Sequence, residues 1–350
     1  MLNISWLDKP VKLITEEFKV AAEQRQNSLT KPPGSLGRME EVAILLSAMQ
    51  ATDKPEVNNI MIAVFAADHG VAEENVSVFP QVVTLEMVKN FARGGAAISV
   101  LAKQLAAKLE VINVGTISEH EDMPGVVSQR IAAGTQNFSK MPAMTQTQLK
   151  EALNAGSETV DRAISVSTQL FIGGDMGIAN TTSATAIASV LLNEDVEKIV
   201  GPGTGLDKSG VSHKADVIRE SIILHKAQLT TPIDVLQCLG GFEIVSLVGA
   251  YINCAQNGLP ILVDGFISSV AALAAIKINP QVRQWMLFSH ASAEPGHAVI
   301  MQAMQAKPLL DMGMRLGEAS GAAIMVPLMR LACALQNDMA TFEQASVSQN

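Results

Sequence analysis

The run Ile60-Met61-Ile62-Ala63-Val64-Phe65-Ala66-Ala67, followed at once by Asp68-His69-Gly70, decides the fold. An unbroken apolar run of this length, rich in β-branched residues and closed by turn residues, reads as a strand buried on both faces. Further short apolar runs occupy residues 111–114, 170–172, 198–200, 261–263 and 285–288. Alanine-, leucine- and methionine-rich stretches with helical spacing separate them. Strands alternating with helices predict an α/β protein with a doubly wound, mainly parallel sheet and right-handed crossovers.

The residues after each run point to function. The six runs are succeeded by Asp68-His69-Gly70, Gly115-Thr116, Gly173-Gly174-Asp175-Met176-Gly177, Gly201-Pro202-Gly203-Thr204-Gly205, Asp264-Gly265-Phe266 and Ser289-His290. Glycine and small polar groups at the carboxyl end of every run mark one edge of the sheet as the working edge, where open α/β sheets bind ligands. The competing reading is a set of ordinary strand-to-helix turns. Both chain ends carry helical patterns: Leu13, Ile14, Phe18, Ala21 and Ala22, then residues 36–49, and finally residues 321–336. The expected organisation is a large α/β nucleotide-binding domain, residues 58–307. Residues 1–57 and 308–350 are expected to pack beside it as a smaller helical domain.

Composition narrows the class. The chain has 350 residues, a formal net charge of −9, 48% hydrophobic and 4% aromatic residues. It is too apolar for a disordered chain. It lacks both the basic stripe and the stacking aromatics of a nucleic-acid binder, and its charge is repelled by anionic lipid. Apolar runs such as residues 322–329 are far shorter than the roughly twenty residues of a spanning helix. Cys238, Cys254 and Cys333 lie far apart with no C-x-x-C, which reads as three reduced, buried thiols in a cytoplasmic protein. Asp8, Lys9, Lys12, Glu16, Glu17 and Lys19 leave no signal-peptide core in the first twenty residues. The last five residues, 346–350, are polar and expected to fray.

Three segments carry candidate chemistry. The 201–205 loop brings backbone N–H groups close to a phosphate or makes a tight turn; it is neither G-x-G-x-x-G nor a P-loop. Lys214 reads as an added positive charge for it or as a solvated surface lysine. The 173–182 stretch ends in Asn180-Thr181-Thr182, a ligand loop or an N-cap run. In Asp311-Met312-Gly313-Met314-Arg315-Leu316-Gly317-Glu318-Ala319-Ser320-Gly321, Glu318 is a carboxylate among small and apolar residues. That setting suits a general base, or a helix-start glutamate facing the dipole. The six histidines, His69, His120, His213, His225, His290 and His297, form no metal-ligand pair, and no G-x-S-x-G elbow is present.

At these residues the sequence resembles the nicotinate-nucleotide:dimethylbenzimidazole phosphoribosyltransferases of cobalamin biosynthesis. The matching stretches are Lys31-Pro32-Pro33-Gly34-Ser35-Leu36-Gly37, Ala66-Ala67-Asp68-His69-Gly70-Val71, residues 174–182, Gly240-Gly241-Phe242-Glu243, Leu262-Val263-Asp264-Gly265-Phe266, Ser289-His290 with Ser292-Ala293-Glu294, and residues 314–321. The resemblance implies a Rossmann-like fold and a homodimer. It implies transfer of a 5-phosphoribosyl group from nicotinate mononucleotide to dimethylbenzimidazole, without cofactor or metal. It further implies Glu318 as the base, with Asp175, where a relative has Glu, in a secondary role. Gly177, Asn180, Thr181, Gly203, Lys214, Asp264, Gly265 and Ser292 are the expected nucleotide-binding positions. Phe79, Met87 and Leu316 are expected at the acceptor. Relatives place Ser and Gln where this chain has Phe79 and Met87, so a more apolar acceptor wall is expected here.

Two other classes compete. A nicotinamide-dependent oxidoreductase needs G-x-G-x-x-G after the first strand, where this chain has Asp68-His69-Gly70. A non-catalytic nucleotide-binding protein predicts loss of the base carboxylate, and Glu318 is retained.

Overall fold

The structure is a computed structural model that describes residues 4–119 and 122–348. Six strands form one sheet: β1 (Ile60–Ala67), β2 (Lys108–Gly115), β3 (Val126–Ser128), β4 (Leu170–Met176), β5 (Ile261–Val263) and β6 (Met286–Phe288). Their order is β3-β2-β1-β4-β5-β6 and every pairing is parallel. The central strand β1 has all eight residues buried, as its unbroken apolar run requires. It pairs Val64 with Val111 of β2 on one side and with Gly174 of β4 on the other. The strand order therefore reverses between β1 and β4. At such a switch point the connections leave in opposite directions and a crevice opens beyond the carboxyl ends of the strands.

The expected doubly wound parallel sheet is present, but one expected strand is not. Residues 198–200 lie at the end of a short helix, Val196–Ile199, with Val200 as its C-cap. Its buried positions are Val196 and Ile199, three apart, while Lys198 is exposed and paired with Glu194 one turn back at 2.8 Å. Burial spacing of three and an i,i+4 ion pair favour a helical turn over a strand. The sixth strand is instead β3, a three-residue edge strand with both valines only partly buried. Its apolar pattern is too short to carry a periodic signal. Trp285 closes a 3-10 helix, Pro280–Trp285, ahead of β6.

The helices Gln146–Ser165 and Phe242–Asn257 pack on each other, the second also against β1 and β4. At the chain ends, Glu16–Ser28 and Arg38–Gln50 pack together, and Ser320–Asp338 lies against Arg38–Gln50 and Ala97–Leu105. Arg25 donates from Nη2 to the carbonyls of Asn337 (2.9 Å) and Met339 (3.2 Å), and Gln26 donates to the Gln336 side chain at 2.6 Å. Arg330 ties the last helix to the segment before β1 and to the end of the helix Ala97–Leu105 by donating to the carbonyls of Val57 and Leu105. These terminal helices share one continuous apolar core with β1, through Leu46, Met49, Met325 and Met329. The three cysteines are free and buried. Among the described residues no helix is long and apolar enough to cross a membrane. In the tail, Ser346 and Val347 donate backbone hydrogen bonds to Glu343 and Phe342, so the fraying expected from residue 346 does not begin there. Gln349 and Asn350 lie outside the described residues, as does His120.

The Pro32-Pro33-Gly34 stretch is pinned by a buried ion pair, Lys31 Nζ to Glu40 Oε1 at 2.8 Å. Glu40 also accepts from the backbone N–H of Leu36 (2.9 Å) and Gly34 (3.3 Å). Burial alone pushes this carboxyl up, yet Lys31 and the two amides hold it below the usual 4.5. Glu40→Ala strands Lys31 without its anion and is expected to cost about 2–3 kcal/mol by urea unfolding. The wild-type advantage should be full above pH 4.5 and fade as pH falls through the lowered folded-state value. An unchanged unfolding midpoint contradicts this assignment.

Candidate active site

A cleft of about 530 Å³ opens at the carboxyl ends of β4, β5 and β6, a size that suits a nucleotide-sized ligand. β4 supplies Asp175 and Met176, followed by Gly177. The turn after β5 supplies Asp264 and Gly265, and the segment after β6 supplies His290 and Ser292. The opposite wall is Arg315-Leu316-Gly317-Glu318. Phe79, 49% exposed, and Leu316, 59% exposed, form an apolar rim.

The position of Glu318 follows from β4 having no side chain at Gly174. A Cβ there would stand 2.7 Å from Ala319 N and 2.8 Å from Ala319 Cβ. The chain therefore lies directly on the strand, and Glu318 and Ala319 both turn left-handed, with φ of 62° and 66°. Two successive non-glycine residues in that region are costly and persist only where the surroundings enforce them. Here the enforcement is visible: Asp264 Oδ1 accepts from Ala322 N at 2.8 Å, and Ser320 Oγ donates to Gly317 O at 2.7 Å. Glu318 is thus not a helix-start residue of Ser320–Asp338. Ala319 occupies the N-cap position, and the backbone donor to the Glu318 carboxylate is Ile98 of the helix Ala97–Leu105. Burial pushes the carboxyl up to about 7, against the pull of that amide and with a further push from Asp264. Its Oε2 is buried with no hydrogen-bond partner among the described residues.

Asp175 is buried and its carboxyl is raised well above the usual range, first by burial and then by Asp264 and Glu243. It accepts from Asn180 Nδ2 at 3.0 Å. Asn180 therefore does not cap its helix, Asn180–Leu192; the N-cap position is Ala179, with no side-chain cap. Asp264 is pushed up by burial too, but His290 and the amides of Ala322, Gly265 and Gly321 pull the other way. Its Oδ1 lies 3.9 Å from His290 Nδ1. Three buried carboxyls thus surround one end of the cleft.

The other end is cationic. Lys214 is not a surface lysine: it is fully buried behind Thr181, donating to Thr181 Oγ1 at 2.7 Å and to Gly201 O at 3.3 Å. Burial lowers its ammonium to about 8, with Glu294 acting in the opposite direction. The 201–205 loop follows a helix rather than the expected strand, yet it still brings Gly203 and Thr204 to the cleft.

Of the residues singled out from sequence, all but Lys214 and Met87 line the cleft. Lys214 touches it through Thr181. Met87 is partly buried and packed on the apolar core from the helix Val82–Arg93, so it forms no part of the lining. Asp68 and His69 are structural: Asp68 accepts from Ile117 N at 2.8 Å, and His69 pairs with Glu243 at 2.6 Å, both wholly buried. Thr204, His290, Glu294 and Arg315 line the cleft without having been singled out. His290, Glu294 and Arg315 sat inside the matched motifs, where their charge was the available signal.

A parallel sheet with its cleft at the strand ends, a buried carboxyl raised to about 7 and a separate cationic corner fit a transferase of phosphorylated sugars. The match to known proteins is specific: the family model described as "Phosphoribosyltransferase" matches residues 11–347, and the chain belongs to that family. It is 54% identical over 347 residues to the nicotinate-nucleotide--dimethylbenzimidazole phosphoribosyltransferase of Pseudomonas putida (strain W619), covering 99% of both chains. It is 53% identical, with 99% of both chains covered, to the enzyme of the same name from Xanthomonas euvesicatoria pv. vesicatoria (strain 85-10). A crystal structure of the Thermus thermophilus enzyme of that name superposes with a TM-score of 0.91 at 40% identity, covering 96% of this chain and 100% of that one.

Gly174→Ala is expected to push the Glu318–Ala319 turn off β4 while leaving the parallel ladder in place. In a carbon-13 NMR titration the Glu318 carboxyl should then move from about 7 toward the ordinary 4.5. A midpoint unchanged in a folded variant contradicts the role given to Gly174.

Proposed function

We propose that this protein transfers the 5-phosphoribosyl group of nicotinate mononucleotide to a ring nitrogen of 5,6-dimethylbenzimidazole or a related aromatic base. The products are nicotinate and α-ribazole 5′-phosphate, the nucleotide-loop precursor of cobalamin. The observation that carries this reading is Glu318: a buried carboxyl raised to about 7, with one oxygen unpartnered among the described residues, on the wall of a nucleotide-sized cleft.

The chemistry matches that carboxyl. The donor's nicotinate is already a pyridinium, so when its bond to the anomeric carbon breaks the electron pair returns to the ring nitrogen and neutralises it. The acceptor's pyridine-type nitrogen forms the new bond from the opposite face, which converts a β-linkage to an α-linkage. Its second nitrogen then carries an acidic N–H, and Glu318 takes that proton. A base whose pKa lies near the operating pH is both deprotonated often enough and basic enough to do this. The carboxylates near the anomeric carbon also oppose the positive charge of an oxocarbenium-like transition state. Asp175, one methylene shorter than the relative's Glu and held by Asn180, takes a supporting role. Gly177, Asn180, Gly203, Gly265 and Ser292 would hold the nucleotide. Lys214 would act through Thr181 at the phosphate, and Phe79 and Leu316 would pack on the acceptor ring.

The proposal includes a homodimer in the cytoplasm. It also includes the division into residues 58–307, which hold the nucleotide, and residues 1–57 with 308–350, which supply the base.

Purified protein mixed with nicotinate mononucleotide and dimethylbenzimidazole should release nicotinate and α-ribazole phosphate in equal amounts by mass spectrometry. Glu318→Gln should retain donor binding and lose about 10²-fold or more in kcat. Full turnover by that variant removes Glu318 from the reaction. Turnover with other aromatic bases but not dimethylbenzimidazole overturns the acceptor assignment.

A further inference from the structure

The cationic corner of the cleft already contains an anion of the protein's own. Glu294 is only 6% exposed although it lines the cleft. Its carboxylate lies against Gly201, where any Cβ would collide with it, and it takes a backbone hydrogen bond from Gly203. Lys214 and Arg315 act on it from the same corner, both favouring its charged form against the upward push of burial. Arg315 donates from Nη1 to Gly203 O at 3.1 Å, and Lys214 donates to Gly201 O at 3.3 Å. Two cations thus brace the glycine loop whose Gly203 amide holds this carboxylate. Neither cation forms a direct ion pair with it within 4.0 Å among the described residues. A glycine-loop amide flanked by two cations is what recognises a phosphate, and here the Glu294 carboxylate takes the amide.

We propose that Glu294 is a resident anion that occupies the phosphate seat of the empty enzyme and must yield it to the donor's 5′-phosphate. Glu294 is then a positioning and specificity residue. It keeps Lys214 and Arg315 neutralised while the site is empty, and it sets a threshold that an incoming anion must exceed. Free inorganic phosphate competes with the carboxylate unaided. A phosphate carried on a nucleoside competes with the help of every ribose and base contact, so its local concentration at the seat is far higher. The device lets the site ignore inorganic phosphate and still take a mononucleotide.

The inference rests on the proposed function, in which a mononucleotide phosphate sits beside Gly203 and Lys214. Its test does not need turnover. Inorganic phosphate binding is measured by calorimetry on the wild-type protein, Glu294→Gln and Glu294→Asp. Glutamine keeps an oxygen able to accept from Gly203 but removes the competing charge. Removing an occupant that holds most of the population raises apparent affinity by the inverse of the free fraction, so inorganic phosphate should bind Glu294→Gln about tenfold or more tightly. Glu294→Asp, whose carboxylate is drawn back by one methylene, should fall between. The KM for nicotinate mononucleotide should fall in the same order. Phosphate should also raise the unfolding temperature of Glu294→Gln more than that of the wild type. Unchanged or weaker phosphate binding in Glu294→Gln overturns the proposal and leaves Glu294 as a loop tether. Failure of the wild-type protein to turn over the mononucleotide defeats the proposed function instead, and the phosphate titration still decides the role of Glu294.

Discussion

The structure depends on one close approach, the seating of the Glu318–Ala319 turn on the bare backbone of β4 at Gly174. A parallel strand at a sheet's switch point normally projects a side chain at that position, and any side chain here would stand within 3 Å of Ala319. Its absence lets a segment from the carboxyl-terminal part of the chain lie on the sheet's working edge. The same contact sets the start of the helix Ser320–Asp338, which is held to β5 through Asp264 and Ala322. The backbone strain of two left-handed residues is supported by this packing rather than relieved. Packing of the terminal helices therefore holds Glu318 in place.

The electrostatics follow from that geometry. Asp175, Asp264 and Glu318 are crowded together, all buried, and each carboxyl is raised chiefly by burial. They differ in what opposes it. Asp264 has His290 and three backbone amides, Asp175 has the Asn180 amide, and Glu318 has one amide from Ile98. Glu318 lines the cleft and combines a value near neutrality with a buried oxygen unpartnered among the described residues. At the far end, Lys214, Arg315 and Glu294 form a separate cluster about the 201–205 loop. The cleft thus gathers buried carboxyls in one part and cations about a glycine loop in another.

Much of this was legible in the sequence, because it was written in runs and punctuation. β1 is found over the residues its apolar run occupies, and the polar turns after β4, β5 and β6 do meet at one edge. Two elements were not legible. Residues 198–200 read as a strand because three residues cannot distinguish periods of two and three, and the arbiter was the Glu194–Lys198 pair. β3 is a three-residue edge strand whose burial comes from its neighbours. In the site, a side chain's environment was the hidden quantity. Lys214, open between a charge for the 201–205 loop and a surface lysine, is buried, because its solvent is replaced by Thr181 and a carbonyl. Asn180, open between a ligand loop and a helix cap, does not cap its helix and holds Asp175. Met87 fell in the right segment, but it packs on the core. Arg315 and Glu294 lay in recognised motifs and went unassigned, since only folding brings them to the same loop.

The central claim is that a carboxyl made basic by burial accepts the acceptor's proton. The most direct test is the pH dependence of kcat/KM for the acceptor, compared between the wild-type protein and Glu318→Gln. The account predicts a wild-type rate that falls about tenfold per pH unit below about 7, where Glu318 becomes protonated, and levels off above it. In Glu318→Gln that limb should vanish, leaving the slower reaction with only the titration of the acceptor's own ring nitrogen. An identical limb near 7 in both proteins would contradict the account.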